Sequence, residues 1–456
     1  MNAVMQAKKN EVDPRSSAPS SSTREVVTAM LFIGLLFFIL GFVTWLNGSL
    51  IPFLKIVCDL NNFQALWVTF AFYIAYTVMA LPSAAVLSRV GYKKGMSLGL
   101  GIMALGALIF IPAAQSSQYG YFLLALFTLA TGMTLMQTAI NPYIVCIGSR
   151  ESAAMRISIM GLFNKGAGIV VPLVFSALML SGMDKYSDSA LAALDPAGRE
   201  LLRAELAARL IYPYAVMALA LLVFMVIIHF SPLPELSEEK DAEAQQDKPV
   251  RALGVLQFPQ LVLGAIALFA YVGVEVIAGD TIGLYGHQLG VQNFGILTSY
   301  TMGFMVLGYC IGVVAIPRYI SQGTALLGCG LAGLLFSLGV LSSSPTDTGF
   351  SQVLLGWAGV PAVPNTVLCL ALLGLANALV WPSLWPLALQ GLGRYTAAGS
   401  ALLIMGIAGG ALLPMLYGRL SDANGSQQAY WIMLPCYVLI LGYAVWGHKL
   451  RSWSRG

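Results

Sequence analysis

Apolar residues along this chain come in long runs rather than in the short alternating stretches of a half-buried sheet. A helix that crosses a bilayer needs about 20 mostly apolar residues. Twelve runs reach that length, and the pattern predicts spans over 26–53, 62–88, 95–114, 119–147, 153–182, 207–230, 256–286, 291–317, 323–343, 363–390, 396–418 and 427–448. Period-2 alternation is absent, which argues against a membrane β-barrel. The longest break, 231–255, holds nine charges in 25 residues, among them Glu238, Glu239, Lys240 and Asp241. It reads as a cytoplasmic linker between an N-terminal six-helix bundle (26–230) and a C-terminal one (256–448). Residues 1–25, rich in Ser, Ala and Pro, read as a disordered cytoplasmic tail, and 449–456 as a second tail. The first run is too long for a signal-peptide core and has no cleavage site after it. In the loop 183–206, Asp195-Pro196 predicts the N-cap and first turn of an amphipathic surface helix.

The two sets of six spans echo each other. Asn62-Phe63 opens the second span and Asn293-Phe294 the eighth, 231 residues on. The same offset lays Gly48 on Gly279 and Ser49 on Asp280. At 240, Asn141-Pro142 of the fourth span meets Trp381-Pro382 of the tenth, and Gln137 meets Asn377. At 242, Gly168 and Pro172 of the fifth span meet Gly410 and Pro414 of the eleventh. Ordered matches with a slowly growing offset predict parallel repeats, which place a substrate site near the bilayer midplane between them. The expected fold class is an all-α membrane protein of twelve transmembrane helices in two pseudo-symmetric six-helix bundles.

Composition narrows the function. Of 456 residues, 58% are apolar and 10% are charged, against about 25% charged in a soluble domain. Mean hydropathy is +0.79. A soluble enzyme, a nucleic-acid binder and a disulfide scaffold are excluded, and a net charge of +4 suggests no polyanionic partner. The six cysteines form no CxxC, and the three histidines are scattered, so neither set reads as a metal site. No GxxxxGK[ST] motif supplies ATP hydrolysis, so any work done draws on a gradient. Of 24 Lys and Arg residues, 17 fall on the side of the termini and six on the other, which predicts cytoplasmic termini.

The remaining cation is Lys165, inside the fifth span. A charge at the bilayer centre costs at least about 2.5–3.5 kcal/mol, so each one there is a candidate for function. Three qualify: Lys165, Glu275 and Asp280. The two carboxylates lie five residues apart, about 140° around an ideal helix, and share a face only if Gly279 or the pair Gly279/Gly283 breaks it. A carboxylate held away from water can carry a proton or hold Na⁺. Lys165 is too deep to snorkel, and a bridge to Glu275 or Asp280 across the two halves is expected. Gln137 and Asn141, four apart, share a face, and Pro142 frees a carbonyl at Thr138. Such a polar stripe suits sugar hydroxyls, which need donors and acceptors; helix-to-helix bonding is the alternative. Asn47, Asn164 and Asn377 extend the same argument. Tyr73, Tyr76, Trp45, Trp381 and Trp385 offer faces on which a sugar stacks, or else simply pack.

FQALWVTFAFYIAY, GMTLMQTAINPYIVCIG, LFNKGAG and YVGVEVIAGD resemble the fucose permease family of the major facilitator superfamily, and most of all its glucose/galactose transporter branch. The likeness runs from about residue 30 to 446, with TAINP and VGVEV its more specific pieces. It implies monosaccharide import by cation symport through alternating access. Two carboxylates of the fucose-transporting members are missing: Gly48 stands at one position and Gln137 at the other. Asn164-Lys165 replaces the usual Asn-Ser pair of the fifth span.

The sequence therefore predicts a multi-pass protein of a bacterial cytoplasmic (inner) membrane, monomeric and not an enzyme. It is expected to import a hexose such as glucose or galactose with H⁺ or Na⁺, and to need no cofactor beyond that ion. Asn47, Tyr73, Gln137, Asn141, Asn164, Asn377 and Trp381 are expected to bind sugar, and Glu275, Asp280 and Lys165 to couple the cation. An uncoupled sugar facilitator and a non-transporting membrane sugar sensor are the alternatives.

Overall fold

A computed structural model describes residues 23–146, 153–179, 195–233, 252–316, 319–392 and 395–453. The expectations for residues 1–22, for 183–194, for the linker over 234–251 and for 454–456 lie outside the described residues, as does the side chain of Asn141.

Among the described residues, twelve helices are long and apolar enough to cross a membrane: Val27–Cys58, Asn62–Leu87, Tyr92–Ser116, Tyr119–Ile140, Ile159–Met179, Pro196–Phe230, Pro259–Asp280, Phe294–Ala315, Gln322–Ser342, Asn365–Leu389, Leu402–Asn424 and Ser426–Lys449. They are referred to below as the first to twelfth spans. Their outer faces are apolar: Val78, Leu81, Leu335 and Val438 are all more than half exposed. Such a surface is stable against lipid and not against water.

Within the first six spans, the third packs on the fourth and sixth, the second on the fourth, and the first on the fifth. The last six repeat the scheme: ninth on tenth and twelfth, eighth on tenth, seventh on eleventh. The two sets meet along two seams, fifth against eighth and second against eleventh. A two-fold exchange of the sets turns one seam into the other. With an even number of described spans, the first begins and the twelfth ends on one face; the opposite one is called the far face here.

Polar contacts fasten the far face. The second span opens on a capping box: the Asn61 side chain accepts from Gln64 N–H, and the Gln64 side chain accepts from Asn61 N–H. Beside it, Asp422 of the eleventh span accepts from the N–H groups of Asn62 (3.0 Å) and Phe63 (2.9 Å). Asn62 Oδ1 accepts from Lys55 Nζ (2.8 Å) and from Gln288 Nε2 (2.7 Å). Carboxylates and amide acceptors suit the positive end of a helix, where the first N–H groups lack partners. Deeper in, Ser49 donates to the Gly295 carbonyl (2.7 Å). The helix expected after Asp195 forms over Pro196–Ala208, with Asp195 accepting from Gly198 N–H (3.1 Å). Its Arg203 pairs with Asp59 (2.9 Å), docking it on the end of the first span.

Candidate functional site

The seventh span supplies both acidic candidates. Its helix ends at Asp280 and resumes at Ile282–Gln288, so the break falls at Thr281, between the two glycines expected to cause it. Thr281 is bound twice, donating to the Ile277 carbonyl (2.6 Å) and sharing a bond with the Tyr430 hydroxyl (2.9 Å). The carbonyls of Ala278 and Gly279 accept from Thr301 (3.4 Å) and Thr298 (2.9 Å) of the eighth span. The break thus leaves backbone acceptors that neighbouring hydroxyls satisfy.

The two carboxylates point to different neighbours, as 140° of separation requires. Glu275 meets the fifth span: Lys165 Nζ stands 2.6 Å from its Oε1, with the two side chains 11% and 10% exposed. The same ammonium lies 4.3 Å from the centroid of the Trp45 ring on the first span. Trp45 Nε1 donates to Asn164 Oδ1 (3.3 Å), and Asn164 Nδ2 donates to the Phe37 carbonyl (3.5 Å). Three spans therefore converge on one buried ion pair. A pair this deep holds only when geometry is good and the cation is further stabilised, which the indole face provides.

Around Glu275 the second half is rich in tyrosine. Tyr271 lies one turn away on the same helix, and Tyr309 and Tyr437 are close enough to feel its charge. Tyr437 donates to Asn377 Oδ1 (2.9 Å), linking the twelfth span to the tenth. Tyr271 faces Trp381 at 6.5 Å, and Trp381 stacks on Trp385 at 5.0 Å. Residues from the first, fifth, seventh and tenth spans thus form a connected path, Asn164, Trp45, Lys165, Glu275, Tyr271, Trp381, of which Tyr271 was not expected from the sequence.

Two of the amides expected to bind sugar have buried donors without a partner among the described residues. Asn47 and Asn377 are each 1% exposed, and the Nδ2 of each has no hydrogen-bond partner among the described residues. Buried polar groups are nearly always paired, so two such donors, one from each half, are acceptors' partners in waiting. Tyr73 stacks on Tyr76 (6.3 Å) in the second span, and the eleventh span approaches it closely at Gly410. Gln137 is half-buried on the fourth span, and among the described residues no hydrogen bond joins it to the path.

Asp280 stands apart from the ion pair. It is fully buried; Oδ2 accepts from Thr69 of the second span at 3.5 Å, and Oδ1 has no partner among the described residues. Beside it, Gly48 lies so close to the eighth span that a Cβ there would collide with Thr298 Oγ1 and stand 2.7 Å from the Gly279 carbonyl. The carboxylate that the fucose permease resemblance would put at position 48 has no room in this packing. Sequence reasoning missed Asp422 and the threonines 69, 298 and 301. Their signals are weak, since Thr is common in membrane helices and Asp422 sits at an ordinary span end.

Twelve spans in two matched sets, with an ion pair and orphaned amides buried between them, define the architecture of a secondary transporter. A model of the Major Facilitator Superfamily matches residues 33–414. The chain belongs to the Major Facilitator Superfamily. Its relatives include the glucose/galactose transporter of Brucella abortus biovar 1 (strain 9-941), 33% identical over 435 residues, covering 94% of this chain and 96% of the relative. The L-fucose-proton symporter of Escherichia coli (strain K12) is 26% identical over 431 residues, covering 93% and 94%. FucP, a Major Facilitator Superfamily transporter crystallised in the outward conformation, superposes with a TM-score of 0.70 at 24% identity, over 93% of this chain and 99% of that one. The family that TAINP and VGVEV resemble is the one found.

Proposed function

We propose that this protein imports a hexose, glucose or galactose by preference, together with a cation through alternating access. The supporting observation is the pair of amides, Asn47 and Asn377, one from each half, whose buried Nδ2 groups have no partner among the described residues, together with the aromatic faces of Tyr271, Trp381 and Trp385. A sugar offers hydroxyls that accept from such donors and apolar C–H faces that stack on Trp381 and Tyr73. Gln137, Asn141 and Asn164 complete the sugar-binding set. The glucose/galactose transporter among the relatives supports the choice of hexose, and the L-fucose-proton symporter supports symport. The Lys and Arg bias supports an inner membrane with both termini in the cytoplasm, so that the fastened far face is the outer one. The protein works as a monomer, divides at the 231–255 linker, performs no catalysis and needs no cofactor beyond its coupling ion.

One charge moved through 100 mV is worth about 2.3 kcal/mol, enough for a roughly fifty-fold sugar gradient. A second reading keeps the sugar and drops the ion, because the Lys165–Glu275 pair already neutralises one buried carboxylate. The test is uptake of labelled glucose, galactose, mannose, fucose and N-acetylglucosamine by proteoliposomes under separately imposed H⁺ and Na⁺ gradients. Accumulation of a hexose under one gradient is expected. Counterflow without accumulation favours the facilitator, and binding without any flux favours a sensor.

A further inference from the structure

The two buried carboxylates of the seventh span have opposite electrostatic surroundings. Glu275 has a cation at 2.6 Å that is part of the chain and cannot leave. Asp280, fully buried, has among the described residues a single long bond from Thr69 and an oxygen with no partner. We infer that Asp280 is the residue that carries the coupling ion, that this ion is a proton, and that Lys165 acts as a tethered counter-ion holding Glu275 out of the exchange. The inference rests on the symport reading above and assigns its ion and its carrier.

Every group packed around Asp280 bears on the assignment. The second span presents Thr69 and Tyr73, the first span Gly48 and Ser49, and the eighth span Thr298; on its own helix the nearest titratable group is Glu275. Tyr430 of the twelfth span bonds the adjacent Thr281. Among the described residues no Lys, Arg or His pairs with Asp280. A carboxylate enclosed in this way is stable when it holds a proton and costly when it does not.

A sodium ion fits the surroundings poorly. A hard cation sheds its water only where several oxygens replace it. Here the carbonyls of Ile277, Ala278 and Gly279 already accept from Thr281, Thr301 and Thr298, and among the described residues the nearby carboxylate, Glu275, is engaged with Lys165. A proton needs only one oxygen.

The placement also ties the proton to the conformational change. Asp280 follows Gly279, whose carbonyl lies against Gly48 where the first and seventh spans meet. Opening the far face separates these spans and admits water to Asp280. One proton from that water binds a carboxylate oxygen there, closure buries the neutral acid, and on the other side the proton leaves to water and the carboxylate regains its charge.

Purified protein in proteoliposomes tests this with two readouts. The first is independent of sugar: infrared spectroscopy at neutral pH. A protonated-carboxyl C=O band is expected in the native protein and in Glu275→Gln, and its loss is expected in Asp280→Asn. The second is the ratio of pH-gradient-driven hexose accumulation to hexose counterflow, expected to fall at least tenfold in Asp280→Asn. A band unchanged by Asp280→Asn, a band lost in Glu275→Gln, or accumulation driven by Na⁺ and indifferent to a pH gradient would each overturn the assignment. Absence of counterflow in the native protein is a failure of the transport reading instead, and the infrared result then decides for or against Asp280 alone.

Discussion

Removing one member of the Lys165–Glu275 pair should cost more than removing both. Lys165→Met leaves Glu275 as a lone carboxylate about one-tenth exposed. Stranding one partner of a buried pair costs about 3–5 kcal/mol. The lost contact with the Trp45 ring, at 4.3 Å, adds roughly 0.5–2 kcal/mol. If each six-span set unfolds as a unit, about 3 kcal/mol corresponds to a thermal midpoint lowered by roughly 6–12 °C. Glu275→Gln strands the ammonium and should cost a similar amount. The double variant Lys165→Met/Glu275→Gln removes both charges and keeps their volumes, so at least half of the loss should return. The assay is thermal unfolding of the purified protein in one detergent, for native, single and double variants, with hexose counterflow measured in parallel. A double variant as unstable as the sum of the singles would refute the pairing, since the coupling would then be zero.

Other expectations follow from single contacts. Asp422→Ala removes the acceptor of two N–H groups at the start of the second span; at about 1 kcal/mol for a cap, the far face should open roughly fivefold more often, read as a broadened inter-half spin-label distance. Gly48→Ala drives a methyl against Thr298 and the Gly279 carbonyl, an overpacking of about 1–3 kcal/mol that should hold the far face open. Adding Thr298→Ala should not restore closure, because the backbone carbonyl remains. Asn377→Ala deletes an orphaned donor and leaves the Tyr437 hydroxyl unpaired; hexose affinity should fall by about 1–3 kcal/mol in a binding titration, with fold retained.

The spans were legible because bilayer thickness sets a minimum apolar length that few other structures need. Their pairing was legible too, through the matches of Asn62 with Asn293 and Gly168 with Gly410. The break in the seventh span fell within two residues of the expected glycine. Glycine loosens a helix, but the position was set by Thr281, whose hydroxyl engages Ile277 and Tyr430. That choice depends on a side chain 149 residues away and leaves no local mark. Asp422 is harder still. A carboxylate at a span end reads as solvated until the fold brings it to Asn62, 360 residues distant.

The buried charges show what sequence can and cannot decide. Opposite charges in an almost uncharged interior must find each other, so a bridge from Lys165 was expected on energetic grounds alone. Which carboxylate it chose was not. Helical spacing put Glu275 and Asp280 on different faces, but only packing of the fifth span beside the first assigned Lys165 to Glu275. That assignment changes the meaning of the leftover residue. Among the described residues of the interior, the one cation is taken by Glu275, and Asp280 is left without it. Gly48, next to Asn47 in the first span, lies against the carbonyl of Gly279, the residue before Asp280. Asp280 therefore stands beside the seam between the first and seventh spans, where separating the two would expose a titratable group to water.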